Sequence, residues 1–147
     1  MLLIRTFLKE IAPREIGLFA GEDLPKPGTL VWRFDARFDK TYSRADVHEM
    51  PVVFREPFLQ YAYLDIRLGL YVLCGDDAKF LLHSETPNTD GRYKVITANG
   101  GVDFGTAVTN RPIKAGDQLT SDWREFDADF DRKMAALRVV PRLEKRK

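Results

Sequence analysis

Short apolar runs separated by turn residues make up most of the chain. The runs LLIRTF and IGLFA near the start, and GTLVWRFD after the turn LPKPG, predict strands. RYKVITA and VDFGTAV flank NGG and predict a hairpin, because Asn and Gly tolerate the positive φ angles of a tight turn. YAYLDIR and GLYVL predict a further strand pair. Many short strands with little helix predict a mainly β single domain.

Helical patterns are fewer. SRADVHEM predicts a short helix with Ser43 as N-cap and Asp46 in the first turn. DDAKFLLHS is compatible with another short helix that has an acidic first turn. The clearest helix runs from about Arg124 to Val140, before Pro141. Its apolar stripe, which favours core packing over a partner site, consists of Phe126, Phe130, Met134 and Leu137.

Composition fits one globular domain and excludes several classes of protein. A chain of 147 residues and 16.9 kDa can bury roughly 70% of its unfolded surface without a metal or a disulfide. A net charge of +1 provides no field that would attract nucleic acid or an anionic membrane. The basic tail RLEKRK is most simply a solvated end, with a contact to an acidic partner as the lesser alternative. No apolar run approaches the ~20 residues of a membrane span.

Residues with redox or metal chemistry are scarce. Cys74, in LYVLCG, cannot form an internal disulfide and is predicted to be a buried, inert thiol in a reducing compartment. The N-terminal run MLLIRTFLKE is too short for a signal peptide, so we predict a cytoplasmic protein. No metal site is predicted, because alternate residues on a helix diverge and this separates Asp127, Asp129 and Asp131.

Three ordered stretches carry the functional information. They are IGLFAGEDLPKPGTLVW, FLLHSETPN and VTNRPIKAGDQLTSDW, and together they resemble the hallmark segments of the SET domain. The resemblance implies a β-clip fold of small curved sheets, in which HSETPN and QLTSDW cross in a C-terminal pseudoknot. It implies a SET domain over residues 1–123, followed over residues 124–147 by an amphipathic helix and basic tail packed on the same domain.

The resemblance also implies a reaction. SET domains are S-adenosylmethionine-dependent protein-lysine N-methyltransferases, so the expected partner is a lysine-bearing protein or peptide. The attacking amine must be neutral, although the free pKa of lysine is ~10.4, and a narrow aromatic channel favours the neutral form by desolvation. Trp123 stands at the family's catalytic tyrosine position, and Tyr63 is a second catalytic candidate. The positions implied to bind the cofactor are Glu15, Ile16, Gly17, Leu18, Phe19, Leu82, His83 and Trp123.

Three residues depart from the family pattern and leave two interpretations open. Glu15 replaces a glycine, Leu82 replaces an asparagine, and Trp123 replaces the tyrosine. Loss of one preorganised polar group in an active site can cost roughly 10²–10³ in rate. The protein is therefore either a short, single-domain lysine methyltransferase or a SET-fold binding protein with impaired catalysis. A homodimer is an arrangement that the sequence leaves open.

Overall fold

The computed structural model describes residues 1–92 and 105–138, with the side chains of 137 and 138 left out. The described residues form four small sheets and a few short helices. The strands are β1 (Thr6–Ala12), β2 (Glu15–Ala20), β3 (Leu30–Arg33), β4 (Lys40–Tyr42), β5 (Tyr63–Leu64), β6 (Tyr71–Leu73), β7 (Leu82–His83), β8 (Thr89–Arg92), β9 (Thr106–Thr109) and β10 (Thr120–Ser121). The α-helices are α1 (Arg44–Glu49), α2 (Val52–Tyr61) and α3 (Phe130–Arg138), and 3-10 turns cover Asp77–Phe80 and Trp123–Glu125.

Neighbouring strands pair mostly as antiparallel ribbons. β1 pairs with β2, β9 lies between β3 and β8, and β6 lies between β4 and β5. The exception is β7, which pairs in parallel with β10. The mainly β prediction is confirmed. β8 and β9 pair antiparallel, but of the predicted hairpin arms the pairing includes only Arg92 from RYKVITA and residues 106–108 from VDFGTAV. The rest of RYKVITA and the NGG turn lie outside the described residues.

The two segments predicted to cross do lie against each other. Asn88, at the end of HSETPN, is 6% exposed. Its Nδ2 donates to the Gln118 carbonyl at 2.8 Å, and its Oδ1 accepts the Thr120 N–H at 2.9 Å. Gly116, at φ 92°, makes the bend that precedes this segment, in a backbone region that favours glycine. Local turn residues and one buried amide thus fix the position of β10 next to β7.

The main core lies between β2, β3 and the segment that leads into β10. Its fully buried apolar residues are Leu18, Ala20, Leu24, Val31, Ile113 and Leu119. The Leu119 N–H donates to the Leu18 carbonyl at 2.8 Å, so the C-terminal segment is bonded directly to β2. A second cluster under α1 and α2 contains Val47, Phe58 and Ala62. None of the helices in the described residues is long and apolar enough to span a membrane.

Two helix assignments differ from the sequence-based expectation. The chain forms α2 over Val52–Tyr61 despite Pro57 inside it, where the sequence analysis assigned no helix. The predicted helix from Arg124 instead begins at Phe130, after a 3-10 turn, so Phe126 lies outside it. Its end at Val140 lies outside the described residues. The interruption follows from the Asp127 carboxylate, which accepts the distant Leu64 N–H at 3.0 Å and holds this segment out of helical register.

Candidate functional site

Trp123 directly follows β10 and is fixed at two points by the β7 segment. Its backbone N–H donates to His83 Nδ1 at 3.2 Å, and its indole Nε1–H donates to the Leu81 carbonyl at 3.0 Å. The His83 and Trp123 rings are 6.0 Å apart between centroids. His83 therefore orients the backbone at Trp123.

A cavity of about 90 Å³, partly open to the surface, is lined by Trp123. Aromatic side chains supply much of its wall, and they are Trp32, Tyr61, Tyr63, Trp123 and Phe126. The rings of Tyr63 and Phe126 meet edge to face with centroids 5.0 Å apart, and Tyr61 meets Phe80 in the same way at 5.5 Å. Aromatic edges and faces packed in this way form a rigid apolar wall.

Two lysines of the chain, Lys79 and Lys133, line this cavity, and Lys133 is the buried one. Lys133, on α3, is 8% exposed. Its Nζ lies 2.6 Å from Asp127 Oδ2 and 5.3 Å from the centroid of the Trp123 ring. Burial lowers the pKa of Lys133, while the charge of Asp127 opposes that shift. The cavity thus holds an ammonium between a carboxylate and an aromatic face, a geometry that combines an ion pair with a cation–π contact.

Two residues that line the cavity each carry a buried polar atom without a hydrogen-bond partner among the described residues. Trp32 Nε1 and Ser121 Oγ are buried and make no hydrogen bond to any described residue, and both residues line the cavity. Buried polar groups without a partner cost free energy unless a ligand or a water satisfies them. Their presence marks this cavity as a place that a polar group can enter.

The cofactor residues expected on β2 lie elsewhere. Glu15 and Ile16 are exposed, Leu18 is fully buried in the main core, and the Phe19 ring stacks on Phe7 at 5.5 Å. At Gly17 an added Cβ would meet Gln118 Nε2 at 3.0 Å, so close packing explains this glycine. None of the five is among the residues that line the cavity. They reach a ligand only through the exposed N-terminal end of β2 or through backbone groups.

Leu82 and His83 lie beside Trp123 on β7. Both are half-buried, and His83 also lines a second cleft with Arg124, Phe130 and Met134. The Phe130 ring meets the His83 ring edge to face at 4.9 Å. The second cleft therefore joins β7 to α3 next to Trp123.

The residues at the expected cofactor positions match S-adenosylmethionine only in part. The cofactor carries a sulfonium, an ammonium, a carboxylate and a flat adenine. The exposed carboxylate of Glu15 suits the two cations but not the cofactor's carboxylate, and Leu82 and His83 offer an apolar side chain and an imidazole. Trp123 adds no oxygen, since an indole only donates and its N–H is already bonded to Leu81.

The structure brings together part of the predicted site and adds two residues to it. Trp123 and Tyr63 both line the cavity, and His83 contacts Trp123 from the second cleft. Asp127 and Lys133, which line the cavity too, were missed. From the sequence, Asp127 was considered only as a possible metal ligand. Within the described residues no group of three or more potential metal ligands occurs. The sequence contained one indication of this pair, since Asp127 and Lys133 lie six positions apart in the segment directly after Trp123.

Comparison with solved structures identifies the fold. A candidate histone methyltransferase of Plasmodium falciparum is 12% identical with a TM-score of 0.56, over 82% of this chain and 94% of its own. A humanized mutant of the Chaetomium thermophilum Polycomb Repressive Complex 2 bound to the inhibitor GSK126 is 19% identical with a TM-score of 0.62 over 88% of this chain. The same complex, in an autoinhibited conformation bound to S-adenosylmethionine, is 18% identical with a TM-score of 0.63 over 91%.

These neighbours are SET-domain histone methyltransferases, and the chain has the SET-domain fold. It spans only 16% and 17% of the two Polycomb chains. No family model and no curated protein sequence matches the chain. At these sequence identities the structural similarity establishes a methyltransferase-like fold. It does not establish an activity, which has to be argued from the residues of the site.

Proposed function

We propose that the protein is an S-adenosylmethionine-dependent protein-lysine N-methyltransferase whose target lysine enters the aromatic cavity beside Trp123. The observation that carries this proposal is the position of Lys133. Its side chain forms part of the cavity wall, with the ammonium 5.3 Å from the Trp123 ring centroid, which supports surroundings that accommodate a lysine ammonium. Protein or peptide lysines are the substrate class that this supports.

The side chains around the cavity would prepare the amine. Desolvation among aromatic rings disfavours the ammonium, as the lowered pKa of Lys133 illustrates. The Asp127 carboxylate, 2.6 Å from that nitrogen, would accept its hydrogen bond and orient it. Tyr63, Phe126 and Trp123 would confine the side chain, and this positioning accounts for much of the rate gain available to such a site.

The cofactor would lie on the other side of Trp123. Glu15 and Ile16 at the end of β2, with Leu82 and His83 on β7, are the residues that would hold it. The buried residues Gly17, Leu18 and Phe19 would contribute backbone groups. When bound, S-adenosylmethionine supplies an electrophilic methyl group. The substitutions at Glu15, Leu82 and Trp123 would change how firmly it is held and oriented.

A second candidate function is supported by the geometry of Trp123. A SET-fold protein that binds lysine without methylating it would need the aromatic cavity and the Asp127 carboxylate, but no hydroxyl at the reaction centre. Trp123 Nε1 is already used by the Leu81 carbonyl, and an indole has no oxygen to replace the family's tyrosine.

Cofactor titration and methyl transfer test the two candidates. For the methyltransferase, calorimetry should show S-adenosylmethionine binding with a Kd below about 1 mM, and mass spectrometry should detect methylated lysine in a lysine-rich peptide mixture. Trp123→Tyr should be faster than Trp123→Phe by roughly tenfold or more, since only the tyrosine restores a hydroxyl. Absence of cofactor binding at millimolar concentration, together with retained binding of the peptides, would instead establish the lysine-binding function.

A further inference from the structure

Lys133 and Asp127 form a buried pair in the wall of the cavity. We propose that Asp127 is the ammonium-binding carboxylate of this cavity and that Lys133 is an internal pseudosubstrate, which an incoming lysine must displace. The proposal rests on the proposed function in one respect, namely that the cavity binds the lysine of another protein or peptide. It does not require methyl transfer. Asp127 is then the residue that binds the substrate ammonium. The site is regulated by α3, because Lys133 on this helix occupies it until a substrate lysine displaces it.

Asp127 is anchored independently of α3. Its Oδ1 accepts the Leu64 N–H at 3.0 Å and the Asp129 N–H at 2.9 Å, while Oδ2 remains for Lys133. The backbone at Asp127 is also tied down, because its N–H donates to the Trp123 carbonyl at 2.8 Å. The carboxylate is 1% exposed. A movement of α3 would therefore leave Asp127 in place, with one oxygen free to receive another ammonium.

Lys133 is the most deeply buried of the side chains described on α3. Among residues 130–136 it alone is buried. The half-buried Phe130 ring meets the His83 ring at 4.9 Å, and the exposed Arg132 donates to the Leu59 carbonyl at 3.3 Å. Loss of the Lys133 ion pair would therefore remove the one fully buried contact among the described side chains of this helix.

Replacing the Lys133 ammonium by the ammonium of another lysine costs little free energy in such a site. Breaking a buried ion pair by removing one partner is costly because it leaves an uncompensated charge. An incoming lysine avoids that cost, since its ammonium would replace the Lys133 ammonium at Asp127 Oδ2 and over the Trp123 ring. The unpartnered Trp32 Nε1 and Ser121 Oγ line the same space. The released Lys133 would regain hydration, which favours its charged form.

Removal of the Lys133 side chain should open the site to a small amine. With Lys133→Ala, n-butylamine at pH 7, where an alkylamine is protonated like lysine, should raise Tm by about 2–4 °C at five times its Kd. Wild-type protein at the same concentration should shift much less, because Lys133 competes. Asp131→Ala, a change at a neighbouring exposed residue of α3, should behave as wild type. n-Butanol, of similar shape but uncharged, should have little effect on either variant.

Two results would overturn the proposal. One is an equal amine-induced shift in wild type and Lys133→Ala. The other is an amine response that survives in the double variant Asp127→Asn with Lys133→Ala, which keeps the cavity but removes the charge that should bind the amine. A loss of S-adenosylmethionine binding or methyl transfer with the amine response intact would reject the methyltransferase function and leave this proposal standing.

Amide hydrogen exchange provides a measurement without mutation. In wild-type protein, saturating n-butylamine should accelerate exchange in α3 relative to n-butanol, because displacement of Lys133 releases the helix. Unchanged exchange in α3 would contradict the proposal even if Lys133→Ala failed to fold.

Discussion

Burial determines the chemistry of Cys74. The side chain is 8% exposed and lines the aromatic cavity. Burial first, then the charges of Asp39 and Asp76, raises its pKa to about 12. The sequence predicted a buried, inert thiol, and the structure confirms the burial.

We expect Cys74 to resist alkylation in the folded protein. At pH 8 a pKa of about 12 leaves a thiolate fraction of about 10⁻⁴, so iodoacetamide should react about 10³-fold more slowly than with the chain unfolded in urea. The native rate should rise about tenfold per pH unit between about pH 8 and 11, since the thiolate fraction rises in that proportion. Mass spectrometry of quenched samples measures the labelled fraction. Rapid native labelling that is independent of pH would contradict this account.

At the same scale, sequence reasoning proposes site residues from their place in recognisable segments. Trp123 is a candidate because it ends the motif QLTSDW, and Tyr63 because SET domains often place channel aromatics in the strands to which YAYLDIR corresponds. Asp127 was missed because its role depends on Leu64, 63 positions away, and on Lys133. Tertiary contacts of this length leave no local periodicity. The two residues that form the ion pair in the cavity therefore became apparent only in three dimensions.

Among the helices and strands, α1 is an element whose start is fixed by hydrogen bonds between residues close together in the sequence. Ser43 Oγ accepts the Asp46 N–H at 3.0 Å, and the Asp46 carboxylate accepts the Ser43 N–H at 2.8 Å. This reciprocal capping box was anticipated in part, since the sequence placed Ser43 as N-cap and Asp46 in the first turn. The hydrogen bonds from Ser43 lower the pKa of Asp46.

Removal of the cap should weaken α1 measurably. We expect Ser43→Ala to reduce the free energy of unfolding by about 1 kcal/mol in urea titrations. It should also return the pKa of Asp46 toward its ordinary value, as followed by NMR. The contribution of Asp46 is present above its unfolded pKa and is lost as pH falls through the folded value, so wild type and Ser43→Ala should converge in acid. Ser43→Asn, which keeps an acceptor oxygen, should stay close to wild type.

The other helices show where element prediction fails. α2 forms across Pro57, although an interior proline removes a hydrogen bond and normally argues against a helix. Burial of Phe58 against Tyr42 and Tyr71, at centroid distances of 5.0 and 6.2 Å, offsets that penalty. The stripe starting at Phe126 was helical in spacing, yet Phe126 packs on Tyr63 before α3 begins. In both cases tertiary packing outweighed the local pattern.

For the whole molecule, the crossing of the β7 and β10 segments joins the ends of the motif block. Asn88 links them through hydrogen bonds to Gln118 and Thr120, and the Asn110 N–H donates to the Asn88 carbonyl at 3.1 Å. The Thr89 hydroxyl adds a bond to the Thr120 carbonyl at 2.8 Å. This crossing places His83, Ser121 and Trp123 beside one another, so the site depends on it. The sequence predicted the crossing because its residues lie in recognisable motifs.

We therefore expect Asn88→Ala to destabilise the fold and the site together. The substitution leaves the Thr120 N–H and the Gln118 carbonyl without their partner in a buried place, which should cost roughly 2–4 kcal/mol of unfolding free energy. Asn110→Ala is the matched control, because the exposed Asn110 side chain bonds at the edge of the crossing, to Pro87 and Asp90, and its backbone bond to Asn88 survives the substitution. It should cost less than about 1 kcal/mol. Urea denaturation gives both values, and indole fluorescence reports whether Trp123 loses its native surroundings at the same midpoint. Equal losses of unfolding free energy in the two variants would show that the crossing does not hold the motifs together. The connection between HSETPN and the Trp123 site would then have to lie in the packing of β2 against Leu119.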